Sequence, residues 1–178
     1  MKKIVFLTTL IYSSLAYADA YNMFAGLEYS TNEAKWSNNS NGVALDTYGV
    51  KVGIENRVSR VYVIADYMDT NPPSGIDETI YEATFNLDAK GEQYDIGLKT
   101  NVFVGAQIGL IHYKLETAVL NDINEIALIY GAHIGLLSEL TSSTSMEIGY
   151  KYSFSELEFK GVALDNIQTY YGAINFHF

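Results

Sequence analysis

Three histidines, His112, His133 and His177, are the side chains of this sequence best suited to proton transfer or metal binding. None lies two residues from a serine, and none belongs to a recognisable nucleophile–base signature or metal-ligand spacing. With no cysteine present, a thiolate metal site and a disulfide framework are both excluded. The sequence therefore leads us to expect no enzyme, no cofactor and no metal, and a structural role for each histidine. The chemistry that remains is ionic. Asp and Glu number 21 against 11 Lys and Arg, a formal net charge of −10. So acidic a balance speaks against nucleic acid, whose recognition needs a basic face.

Where those charges sit depends on the elements that carry them. From 143 to 154 one parity reads Thr144, Met146, Ile148, Tyr150, Tyr152, Phe154 and the other Ser143, Ser145, Glu147, Gly149, Lys151, Ser153. This is a period of two, the mark of a strand with one apolar and one polar face. The same alternation recurs over 21–30, 47–55, 60–68, 93–100, 104–111, 125–136 and 169–178. The reading is eight strands of roughly ten residues, long enough to cross a bilayer when tilted. A soluble sandwich would alternate too. Unbroken apolar faces and Tyr or Phe at strand ends favour a membrane barrel. So do the connections, short at 56–59, 101–102 and 138–142 and long at 31–43, 69–90, 116–123 and 155–166. The expected fold is an all-β, eight-stranded antiparallel up-and-down transmembrane barrel with long extracellular loops and periplasmic turns. Segment 79–88 also alternates, and Asp88-Ala89-Lys90-Gly91 reads as a hairpin turn. It is assigned to an extracellular hairpin, with a ten-stranded barrel left open.

An eight-stranded barrel is just wide enough for side chains to fill it. The inward parity collects Glu28, Lys51, Asp66, Asp95, Lys99, Glu147 and Lys151, with Glu55 and Arg60. Opposite charges there should pair, because an unpaired buried charge is costly. Lys51 and Lys151 are expected to pair with some of Glu28, Asp66, Asp95 and Glu147. The network then acts as a plug, or alternatively as the gate of an ion path.

The chain opens Met1-Lys2-Lys3, runs apolar from Ile4 to Leu15 and reaches Ala16-Tyr17-Ala18. That order is a secretory signal peptide. Residues 1–18 are expected to be removed, leaving 19–178 as one barrel domain. The pentapeptide Gly-Val-Ala-Leu-Asp occurs at 42–46 and at 161–165. Both copies fall where a long loop becomes a descending strand, and both are expected at one height on the two strands flanking the first.

Three stretches carry a family resemblance. Residues 101–114 (NVFVGAQIGLIHYK), 146–158 (MEIGYKYSFSELE) and 170–178 (YYGAINFHF) resemble the fifth, seventh and terminal strands of the opacity-type, OmpA-like small outer-membrane barrels. The resemblance covers essentially the whole chain after residue 18. It implies a Gram-negative outer membrane, contact with its lipid and lipopolysaccharide, and recognition by the barrel-assembly machinery through Tyr170, Gly172, Phe176 and Phe178. Gly172 stands one position from the usual glycine of that signal. No periplasmic peptidoglycan-binding domain is expected. A fold of this kind hosts many activities. A structural or surface-interaction, adhesin-like role is expected, with an extracellular partner engaged by acidic loops. The alternatives are a narrow passive channel and, last, a lipid-modifying barrel enzyme.

Overall fold

The computed structural model describes residues 21–178 except 38, 70–75, 118–122 and 160–161; the expected signal peptide lies outside the described residues. The strands are β1 (Asn22–Trp36), β2 (Asn39–Glu55), β3 (Ser59–Asp69), β4 (Ile76–Asp95), β5 (Lys99–Thr117), β6 (Ile123–Thr141), β7 (Thr144–Ser155), β8 (Glu158–Phe159) and β9 (Val162–His177). Each long strand pairs antiparallel with the next, and β9 pairs with β7 and β1. Eight long strands thus close the sheet on itself, and the two-residue β8 hangs on the start of β9. Closure leaves no unpaired edge, which lipid does not tolerate.

The register fixes how the lumen is filled. One row of direct cross-strand partners runs Glu55, Arg60, Asp88, Gly105, His133, Lys151, Thr169, Asn32 and Leu45. It leaves β2 at position 55 and returns to β2 at position 45. A stagger of ten residues over eight strands demands strongly tilted strands. It also brings residues distant along the chain to one level inside.

The alternation sorts the faces as lipid requires. Outward Leu27 is 62% exposed, and Val50, Val104, Ile134 and Ile148 are similarly open, whereas inward Phe24, Ile64 and Glu147 are buried. Toward the extracellular side the outward row Tyr29, Tyr48, Tyr67, Tyr81 and His112 is directly paired strand to strand. Its rings lie 5.4 Å apart for Tyr29 and Tyr48 and 5.6 Å apart for Tyr67 and Tyr81. This is an interfacial aromatic girdle.

Two assignments change. The fourth strand is β4, not 93–100. Segment 79–88 pairs with β3 on one side and β5 on the other, and Asp88 sits mid-strand opposite Arg60 and Gly105 instead of opening a turn. The chain reverses later, at 96–98, where Gly97 has φ +99° and its N–H donates to Asp95 Oδ1 at 3.2 Å. Tyr94, Ile96 and Leu98 are exposed apolar residues around that turn, so their spacing imitates a strand. One expected strand is lost and one gained, so the total of eight stands. The expected loop 31–43 is largely strand as well, because β1 runs to Trp36 and β2 begins at Asn39.

The repeated pentapeptide does not occupy one station. Both copies border β1, but Leu45 opposes Asn32 whereas Leu164 opposes Trp36, four residues further along. Gly161 lies outside the described residues. What the copies share is an inward leucine: Leu45 and Leu164 are buried in the same apolar cluster.

Candidate functional site

The lumen is layered. At the periplasmic end a cavity of about 880 Å³ is lined by Glu55, Arg57, Lys90, Glu92, Lys99 and Glu139, among others. Above it Phe24 and Tyr62 meet edge to face at 6.0 Å. The Arg60 guanidinium lies 4.5 Å from the Phe103 ring centre and 5.4 Å from that of Tyr62. A cation on an aromatic face recovers part of the hydration it loses on burial.

Next come the charges. Glu147 is fully buried and is the hub. Its Oε2 accepts from Lys51 Nζ at 2.9 Å, Arg60 Nη1 at 2.7 Å and Asn175 Nδ2 at 3.3 Å, and its Oε1 accepts from Tyr171 Oη at 2.9 Å. Lys51 also lies 3.5 Å from Glu28, which Lys151 engages as well. Asp88 accepts from Arg60 Nε at 2.9 Å and stands 2.5 Å from His133 Nε2. Two carboxylates, Asp66 on β3 and Glu82 on β4, close this layer as direct cross-strand partners, both buried, with Asp66 Oδ1 lacking a hydrogen-bond partner among the described residues. Over them lies an apolar cap of Leu45, Met68, Ile80, Ile111, Ile129 and Leu164, with neighbours.

Of the residues singled out from sequence, Glu28, Lys51, Asp66, Glu147 and Lys151 are buried in this lumen. Asp95 and Lys99 are not. They flank the periplasmic turn, where the Lys99 side chain is 65% exposed and 4.0 Å from Glu139. The reason is the displaced fourth strand, which puts the chain reversal between them. That same displacement hid Glu82 and Asp88. Treated as a strand, 79–88 would have placed both on its polar parity. Tyr170, Phe176 and Phe178 face outward.

The histidines are placed differently from one another. His112 contacts Asn124 Oδ1 at 2.6 Å on the outer face, and His133 belongs to the charge layer. His177 lies between two partners from other strands: its Nε2 is 2.9 Å from Ser145 Oγ and its Nδ1 is 3.3 Å from Glu55 Oε1. Sequence proximity could not find this serine, because β7 and β9 meet only on folding. Among the described residues, no group of three His, Cys, Asp or Glu side chains is arranged to hold a metal.

No sequence family matches this chain, and no curated protein matches it by sequence. Solved structures do match it. Neisserial surface protein A superposes with a TM-score of 0.75 at 12% identity, over 90% of this chain and 100% of that one. Outer membrane protein H of P. aeruginosa gives 0.62 at 20% identity, over 88% and 99%. Ail, the attachment invasion locus protein of Yersinia pestis, gives 0.59 at 15% identity, over 88% and 98%. At these identities the likeness is one of fold: the chain is a closed eight-stranded antiparallel barrel of the outer-membrane kind.

Proposed function

We propose that this protein is an integral protein of the Gram-negative outer membrane, close to the opacity-type barrels, that acts through its extracellular surface while its lumen stays shut. The observation that carries the reading is Glu147. Four donors converge on its two oxygens inside a barrel already narrow enough to be filled. An apolar cluster lies above it toward the extracellular end, which supports the same reading. A signal peptide cleaved after Ala18 and assembly by the barrel-assembly machinery belong to the same reading.

The extracellular ends of the strands suggest the partner. Glu33, Asp46, Glu125, Glu156, Glu158 and Asp165 are exposed there, against Lys35 and Lys114. Ail has been solved with a heparin analogue, sucrose octasulfate. The acidic rim of this chain favours the opposite chemistry, a basic protein surface or lipopolysaccharide phosphates bridged by divalent cations. Binding of cells displaying the protein to polylysine-coated and heparin-coated surfaces tests this, and preference for heparin would sink it.

A second reading, a narrow channel, draws on the vestibule at the periplasmic end. Planar-bilayer conductance of the purified protein separates the two. A shut lumen gives no openings in the wild type. Reproducible openings that change with Lys51→Ala or Glu147→Ala would establish the channel instead.

A further inference from the structure

The periplasmic mouth holds three side chains in the order that nucleophilic acyl transfer needs. Ser145 Oγ lies 2.9 Å from His177 Nε2, and His177 Nδ1 lies 3.3 Å from Glu55 Oε1. A nucleophile within hydrogen-bond reach of a base, with that base oriented by a third group, is the signature of an activated serine. Nδ1–H donated to Glu55 fixes the tautomer that leaves Nε2 free to accept the Ser145 proton. Glu55 is itself held on its other oxygen, where Lys90 Nζ lies 3.3 Å from Oε2. Asn175 Nδ2 donates to Ser145 Oγ at 3.4 Å and so helps to hold that hydroxyl in place. Glu55, Ser145 and His177 come from β2, β7 and β9, so no local motif produces the grouping.

We propose that Ser145, His177 and Glu55 form an esterase centre at the periplasmic mouth of the barrel, acting on short-acyl esters of polar alcohols. The vestibule supplies the substrate class. Glu55 lines it, and so does Glu139, the cross-strand neighbour of Ser145, whereas Ser145 and His177 are not part of that lining. Its size is that of a small-molecule site. Its lining of Arg57, Lys90, Lys99 and Glu92 suits a hydroxylated, polar leaving group. Ser145 itself is only 2% exposed, so the proposal is confined to the smallest acyl group, acetyl.

Ser145 Oγ attacks the acyl carbon as His177 Nε2 takes its proton. The ester C–O bond breaks, the alcohol leaves with that proton, and the acyl group stays on Oγ. Water, deprotonated by His177, then attacks the acyl-serine, releasing the carboxylic acid and restoring the Ser145 hydroxyl. Ser145 and His177 are the catalytic residues and Glu55 is a positioning residue.

The test uses purified full-length barrel, with folding of each variant checked by heat-modifiable gel mobility. A small fluorophosphonate should add once, at Ser145, and p-nitrophenyl acetate should turn over while p-nitrophenyl octanoate does not. Ser145→Ala should abolish both labelling and turnover, and His177→Ala should lower kcat by about 10²-fold or more, the scale of a lost general base. Ser143→Ala, on the adjoining turn, should change neither. Glu55→Gln should lower kcat with KM unchanged and alter the pH–rate profile, which a merely structural carboxylate would not. Absence of an adduct on a folded barrel, turnover surviving Ser145→Ala, or a Glu55→Gln variant with wild-type kinetics would each overturn the centre. Preference for octanoate would overturn the short-acyl assignment.

Discussion

His133 Nε2 and Asp88 Oδ1 stand 2.5 Å apart although β5 separates their strands, because the residue of β5 lying between them in the register is Gly105. A Cβ at Gly105 would run into both side chains. The glycine is therefore a gap in the barrel wall across which two larger side chains meet. It serves space here and not backbone conformation.

Gly105→Ala should overpack that gap. Overpacking costs about 1–3 kcal/mol, and the cost here should appear as a lower urea midpoint for unfolding from lipid vesicles. In the double variant with His133→Ala the added methyl no longer meets the imidazole but still meets Asp88 Oδ1, so part of the loss should be recovered. Additive losses would show that the two residues do not share the gap.

Removing the hub is more severe. Glu147→Ala leaves Arg60 with Asp88 and Lys51 with Glu28 as their remaining carboxylates in the lumen, where breaking a buried pair costs about 3–5 kcal/mol. Glu147→Gln keeps the shape, and with its oxygen toward Lys51 and Arg60 it still accepts from them while its amide N–H can donate to the Tyr171 hydroxyl, so it should lose less. Equal losses for the two substitutions would mean that packing and not charge dominates at this position.

Asp66→Asn and Glu82→Gln should act in the other direction. These carboxylates face each other directly across β3 and β4, and like charges so placed are destabilising. The cations opposite them, Lys51 and Lys151, are already engaged by Glu147 and Glu28. Either substitution should raise the unfolding midpoint. A lower midpoint in both would show that the pair holds something the barrel needs.

Leu45→Ala and Leu164→Ala should each cost about 2–5 kcal/mol, the range for truncating a buried leucine. Both belong to one cluster, so the double variant should deviate from the sum of the two. Strict additivity would separate the two leucines and leave the pentapeptide without a shared role.

On the outside, Ile134→Arg should cost about 2–4 kcal/mol if its position is near the bilayer midplane, whereas Thr31→Arg, beyond the tyrosine girdle, should cost close to nothing. Comparable effects at both positions would contradict the lipid-facing band.

The fold was legible in the sequence wherever one rule governed one strand. Alternation told which side chains of β1, β2, β3, β6, β7 and β9 face inward, because the pleat has a period of two and lipid demands an apolar outer face. It failed at 79–100, where β4 is a strand with polar inward residues and Tyr94, Ile96 and Leu98 decorate a turn. Local pattern cannot say on which side of Gly97 the strand lies, because both segments alternate. Pairing settles the matter: only 79–89 can satisfy β3 along its full length.

By itself the sequence determined the inward face of β1, β2, β3, β6, β7 and β9, the acidic balance, and that lysines and carboxylates would share a lumen. Tertiary structure alone decided who meets whom. Lys51 reaches Glu147 across 96 residues of chain, Lys151 reaches Glu28 across 123, and His177 finds Ser145 on β7 and Glu55 on β2. Those meetings depend on the ten-residue stagger with which the barrel closes. That stagger is a property of all eight strands together, since each lap of the hydrogen-bonded row climbs the wall by an amount no single strand encodes.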